Sequence, residues 1–78
     1  ANLQQEINGF IDLYYENVPK EIKEDVPPPP EDKSDLEKIQ QWLNLVTTAL
    51  SVAEPTTATF TAVTQYGNRL LEEVSNRL

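Results

Sequence analysis

The chain has 78 residues, with thirteen acidic and six basic side chains and a formal net charge of −7. It contains no cysteine and no histidine, which excludes disulfides, thiolate chemistry and zinc sites with imidazole or thiolate ligands. The small basic content excludes a nucleic-acid-binding face, and no apolar run reaches the roughly 18 residues of a membrane-spanning helix. Since cysteine-free chains occur in reducing and oxidising compartments alike, localisation stays open.

Helical periodicity begins at about residues 2–18. Apolar side chains recur there at the spacing of one helix face, namely Leu3, Ile7, Phe10, Ile11, Tyr14 and Val18. Pro19 should end this helix, because the residue before a proline is pushed out of the helical region. Gly9 lies outside the apolar face and weakens the helix by about 1 kcal/mol relative to alanine.

A proline-rich linker is predicted for residues 19–33. Its four consecutive prolines favour the extended polyproline II conformation. The linker is long enough for the helices on either side to run parallel or antiparallel. We interpret the run first as a rigid spacer. As an alternative, the motif resembles ligands of EVH1 domains, with Val26 in the place usually taken by phenylalanine, then Pro27, Pro28, Pro29 and Pro30, and acidic residues on both sides.

The second long helix is predicted at about residues 35–52. Ser34 and Glu37 have the spacing of a capping box, in which the serine hydroxyl accepts from a backbone amide and the glutamate reaches back to the cap. The apolar face that follows consists of Leu36, Ile39, Leu43, Val46 and Leu50, widened by Trp42, Ala49 and Ala53.

A break at residues 54–57 separates this helix from a third one at about residues 56–77, with Pro55 suited to its first position. So short a connection predicts an antiparallel hairpin. The apolar face of the third helix is Phe60, Val63, Leu70, Leu71, Val74 and Leu78. Gly67 interrupts this face, which indicates close approach of a bulky neighbour such as Trp42 or Tyr14. The sequence therefore predicts one all-α domain, a small three-helix bundle.

Catalytic equipment is not expected. The hydroxyl side chains have no histidine or cysteine beside them, and all four lysines lie between positions 20 and 38, in or beside a polar linker. A bundle of this size also has little room for an active-site cleft. We therefore expect no catalytic, cofactor-binding or metal-binding residues, and no cofactor.

Residues 39–68 carry a single charge, Glu54, and seven threonines. Charged residues normally coat the outer faces of a small bundle, so a hairpin this neutral is typical of a surface that meets a partner. The partner-contact candidates are the apolar residues left over after the core is assigned: Leu13, Tyr15, Leu45 and Val52. The sequence favours a non-catalytic protein–protein interaction module or assembly subunit. It binds either a protein partner, for which the acidic charge favours a basic one, or a second copy of itself.

A lipid surface is the alternative partner, because proline-joined amphipathic helices can open onto one. The stretch FTAVTQYGNRL at residues 60–70 resembles part of an amphipathic helix of the small exchangeable apolipoproteins. This resemblance covers under a fifth of the chain. It implies that the helices bind lipid through their apolar faces. Elsewhere the chain departs from that family, since lysines do not rim its apolar faces and the proline run is foreign to the pattern.

Overall fold

The computed structural model describes residues 2–53 and 58–78. Within those ranges the regular secondary structure is helical: α1 (Leu3–Asn17), α2 (Lys20–Lys23), α3 (Leu36–Val52) and α4 (Ala58–Asn76). The small all-α bundle expected from the sequence is confirmed. The predicted break at residues 54–57, with Pro55 as the first helical residue, lies outside the described residues.

The long helices α1 and α3 begin with different caps. The side chain of Asn2 accepts from the backbone N–H of Gln5 at 2.8 Å, and the Gln5 side chain accepts from the N–H of Asn2, so the capping box belongs to α1. The capping box predicted at Ser34 is wrong. Asp35 caps α3 by accepting from the N–H of Lys38, while the Ser34 hydroxyl donates to Asp32 at 2.5 Å and is thereby committed elsewhere.

The linker is more ordered than an extended spacer. Val18 has left the helical region, as predicted for a residue before proline, and α1 ends at Asn17. The chain then forms the single turn α2, in which the N–H groups of Ile22 and Lys23 donate to the carbonyl of Pro19. The prediction of a non-helical linker over residues 19–33 is therefore wrong for residues 20–23.

The relative directions of the three long helices follow from contacts near their ends. Gln40 near the start of α3 donates to Ser75 near the end of α4, so these two helices form the antiparallel hairpin that the sequence predicts. The start of α1 meets the start of α3 and the end of α4 around a surface depression lined by Leu3, Leu36 and Arg77. It follows that α1 runs parallel to α3 and antiparallel to α4, which settles the direction that the linker length left open.

The core lies where α4 packs between α1 and α3. Its buried apolar residues are Ile7, Phe10, Ile11, Tyr14, Val18, Val26, Ile39, Trp42, Leu43, Val46, Leu50, Phe60, Val63, Leu70 and Val74. An aromatic cluster joins α1 to α3, with the Trp42 ring edge-on to Phe10 at 5.9 Å and to Tyr14 at 5.6 Å between centroids. The predicted faces thus form one continuous core, except that Leu78 is exposed.

Gly67 on α4 packs against side chains of both other long helices. A Cβ atom on this residue would lie 3.0 Å from Cε1 of Phe10 and 3.4 Å from Cγ2 of Thr47. The bulky neighbour is therefore Phe10 of α1, and the expectation that it is Trp42 or Tyr14 is wrong. The physical reason is that α4 faces α1 directly at this level, whereas Trp42 reaches the cluster from α3.

Candidate interaction surface

Two large apolar side chains project from the outer face of α3. Leu45 is 52 % exposed and Val52 is 80 % exposed. Because they are seven positions apart, they lie in line about two turns, or roughly 10 Å, apart along the helix axis. Gln41 and Thr48 are exposed on the same side of α3, and we call these four residues the α3 strip.

The α3 strip has no charge of its own. Residues 39–53 include no Asp, Glu, Lys or Arg, although the whole chain carries nineteen such residues. Leu45 and Val52 are the large apolar side chains that α3 exposes to solvent.

Tyr15 is exposed at the end of α1 and is partly held in place. Its side chain is 48 % exposed, and its ring lies edge-on to Tyr14 at 5.4 Å between centroids. The Lys23 ammonium group lies 5.3 Å from the Tyr15 ring centroid and donates to the Tyr15 carbonyl oxygen at 3.0 Å. These contacts restrain Tyr15 as part of the α1–α2 corner, next to the aromatic cluster.

Leu13 differs from the other three candidates, because it is half-buried and packs against the core. Its backbone carbonyl accepts from the side-chain amide of Asn17 at 3.0 Å, which closes the last turn of α1. The structure therefore brings Leu45 and Val52 into one line, places Tyr15 at the α1–α2 corner and leaves little of Leu13 available for a partner.

The proline run lies against α3. Val26 is buried in the core, and the indole N–H of Trp42 donates to the carbonyl oxygen of Pro27 at 2.9 Å. An open groove of about 330 Å³ remains beside it, lined by Pro27, Pro28, Pro30, Lys38, Gln41, Trp42 and Leu45. One end of the α3 strip therefore borders the prolines.

A polar seam closes the α1–α4 contact on another side of the molecule. The Tyr66 hydroxyl donates to the carbonyl oxygen of Glu6 at 2.8 Å, and Glu6, Tyr66, Arg69 and Glu73 line a shallow depression of about 230 Å³. A hydrogen bond with the Glu6 carboxyl raises the pKa of Glu73, partial desolvation and the charge of Glu6 raise it further, and Arg77 and Arg69 oppose the shift. Burial raises the pKa of Tyr66, with a smaller effect from the charge of Glu6.

Two features of the site have no clear signal in the sequence. Val26 precedes prolines and sits among acidic residues, yet it belongs to the core. The Trp42–Pro27 hydrogen bond joins residues fifteen positions apart, and helical periodicity carries no information about such a contact. The available signal is the indole itself, because a buried tryptophan needs an acceptor for its N–H.

No helix among residues 2–53 and 58–78 is long and apolar enough to cross a membrane. Over the same described ranges, no three Asp or Glu side chains converge in a way that would hold a metal ion. No family model matches the chain, and neither a curated protein nor a solved structure matches it.

Proposed function

We propose that the chain is a non-catalytic protein–protein interaction module that binds its partner through the α3 strip. The observation that carries the proposal is the exposure of Leu45 and Val52 in line on residues 39–53, a stretch without charged side chains. Both side chains are apolar, and a partner that covers them removes that area from water at about 25 cal/mol per Å². The core does not need them, because α3 already buries Ile39, Trp42, Leu43, Val46, Thr47 and Leu50 on its other side.

The distribution of charge supports different roles for the α3 strip and for the acidic remainder of the surface. The net charge of −7 belongs to residues outside the neutral stretch of α3. An acidic surround attracts a basic partner over long range and raises its association rate, while the apolar strip supplies the short-range contact. We therefore expect the association rate to fall as ionic strength rises, with a much smaller change in the dissociation rate.

The test compares two double variants in partner capture from native extract. Leu45→Glu with Val52→Glu places two carboxylates on the strip. Asn44→Glu with Ser51→Glu adds the same two charges at the same spacing, on exposed positions about 100° around the helix. The wild type and the second variant should retain a common protein that the first variant loses, and affinity for that purified protein should fall at least about tenfold. Equal capture by both variants would exclude the strip as the contact surface.

A second copy of the chain is one partner that this proposal allows. Sedimentation equilibrium of the wild type and of both double variants detects it directly. Self-association through the strip predicts a concentration-dependent dimer that the Leu45→Glu, Val52→Glu variant lacks. If no protein is captured and the wild type stays monomeric at all concentrations, the interaction-module proposal fails.

A lipid surface is the second candidate, favoured by the resemblance of residues 60–70 to an apolipoprotein helix. In the bundle, however, Phe60, Val63 and Leu70 are buried. Lipid binding through this segment therefore requires the bundle to open, and it does not use the α3 strip. Flotation with phospholipid vesicles separates the two proposals, because lipid binding should survive in the Leu45→Glu, Val52→Glu variant, whereas binding through the strip should not.

A further inference from the structure

The proline segment, residues 26–30, is anchored to the bundle at two adjacent positions. Val26 contributes a buried side chain to the core, and Pro27 contributes the carbonyl oxygen that accepts from the Trp42 indole. Trp42 is itself fixed by edge-on contacts with Phe10 and Tyr14. This is the chemistry by which aromatic grooves recognise polyproline helices, with ring surface against proline and a donor on a free carbonyl. Here the aromatic ring with its donor and the proline segment belong to the same chain.

Burial differs along the segment. Val26 is buried and Pro29 and Pro30 are half-buried against the bundle, while Pro27, Pro28 and Glu31 are exposed. A polyproline-binding domain needs an apolar anchor and proline rings on adjacent edges. In the docked segment, the Val26 side chain is buried and the Pro27 carbonyl oxygen accepts from Trp42, so a partner can reach neither group. A partner therefore has access to this motif only after the segment leaves Trp42.

The charges around the segment define the kind of groove that suits it. Glu24, Asp25, Glu31 and Asp32 flank the prolines, and all four are exposed. The ammonium group of Lys33 is turned back onto the chain, where it donates to the carbonyl oxygens of Pro30 and Glu31. A complementary groove is lined by aromatic rings and rimmed by basic side chains.

We propose that the proline segment is a ligand for an aromatic-lined, basic-rimmed polyproline groove of the EVH1 type. Its docking on Trp42 masks it, because the docked segment cannot enter such a groove. Docking on Trp42 and binding to the groove use the same atoms, so the two are mutually exclusive. The affinity of the intact chain is therefore the affinity of the free segment multiplied by the undocked fraction. This proposal does not depend on the α3 strip, and either one can fail without the other.

The test measures binding of a purified EVH1 domain to three ligands. These are a synthetic peptide of residues 24–33, the intact chain, and the intact Trp42→Phe variant, which keeps a ring but loses the indole N–H. We expect the peptide to bind at least about tenfold more tightly than the intact chain, and Trp42→Phe to recover most of the difference. An SH3 domain serves as the specificity control and should bind none of the three, because acidic flanks do not suit it.

Val74→Ala is the control for stability, since it removes buried volume from α4 and leaves the Trp42 indole in place, so binding should stay as weak as in the wild type. A second readout is solvent exchange of the Trp42 indole proton, which should be slow in the free chain and faster when the EVH1 domain is bound. If the peptide does not bind the EVH1 domain, the segment is not a ligand of that domain. The masking is refuted if the peptide and the intact chain bind with equal affinity, or if the indole proton exchanges freely in the unbound chain.

Discussion

The ring of Phe10 lies directly against the backbone of Gly67, so that two ring carbons would be 3.0 and 3.1 Å from any Cβ added there. Three other aromatic rings surround Phe10, at centroid distances of 6.2 Å for Tyr14, 5.9 Å for Trp42 and 5.7 Å for Tyr66. Phe10 is fully buried, so its ring can move only by displacing packed neighbours. The absence of a side chain at Gly67 therefore sets the distance between α1 and α4.

Gly67→Ala should destabilise the bundle. Alanine favours the helix by about 1 kcal/mol relative to glycine, but forcing a methyl group into a packed core costs about 1–3 kcal/mol. The fully buried Phe10 places this substitution at the upper end of that range, and we expect a net loss of about 1–2 kcal/mol in urea unfolding. A variant as stable as the wild type would mean that α1 is not seated on α4 at this residue.

Gly9→Ala tests the same helix pair where the neighbour has more freedom. A Cβ there would lie 3.1 Å from the Tyr66 hydroxyl oxygen, which donates to Glu6 one turn away. In the wild type, the gain in helix propensity is offset by damage to that hydrogen bond, which is worth about 1 kcal/mol. In a Tyr66→Phe background the obstacle is gone, and Gly9→Ala should raise the free energy of unfolding by about 0.5–1 kcal/mol.

The unfolding free energies of the two single variants and the double variant form a double-mutant cycle for this contact. Additive effects of Gly9→Ala and Tyr66→Phe would show that the tyrosine hydroxyl does not approach Gly9.

Thr47 is the buried polar residue of α3, and its hydroxyl and methyl groups should contribute differently to stability. Its hydroxyl donates to the Leu43 carbonyl oxygen at 2.8 Å within the same helix, while its methyl carbon faces Gly67. Thr47→Val keeps the methyl contact, leaves no unpaired donor and should change stability by less than about 1 kcal/mol. Thr47→Ser keeps the hydroxyl but leaves a small cavity, and should cost about 1 kcal/mol. The reverse order in thermal unfolding would contradict this packing.

The Glu6–Glu73 pair should make stability depend on pH. The pKa of Glu73 is raised in the folded chain by its hydrogen bond with Glu6, so the folded state holds its proton more tightly than the unfolded state does. This contribution is fully present below the ordinary glutamate pKa of about 4.3 and is lost as pH rises through the higher folded value. Glu73→Gln should flatten that part of the melting-temperature profile.

Glu72→Gln is the matched control, because it removes the same charge from the adjacent exposed position of α4. Its profile should keep the wild-type slope in this pH range. Asp32 acts in the opposite sense, since hydrogen bonds from Ser34 lower its pKa and its contribution is lost as pH falls through that lowered value. An identical slope in the wild type and in Glu73→Gln would show that the two carboxyl groups do not meet.

Periodicity predicted most of the core because each long helix has one apolar face, and Phe10, Leu43 and Val63 are buried for that reason. It also left Leu45 and Val52 outside the core, where the structure exposes them. The proline segment could not be predicted in this way. Val26 is buried because the segment packs against the bundle, and no local pattern distinguishes it from an exposed valine. The choice between Ser34 and Asp35 as the cap depended on the position of Asp32, two residues upstream.

We expect the chain to be a packed bundle in solution, and the α3 strip to bind its partner without any opening of the three long helices. Near-ultraviolet circular dichroism tests it most directly, through Trp42 and the three tyrosines, with and without phospholipid vesicles. We expect a strong, fixed aromatic signal in buffer that vesicles do not change, since Trp42 and Tyr14 are packed edge to face. A weak aromatic signal in buffer, with helicity that rises only when lipid is added, would contradict it and would place the function on a lipid surface.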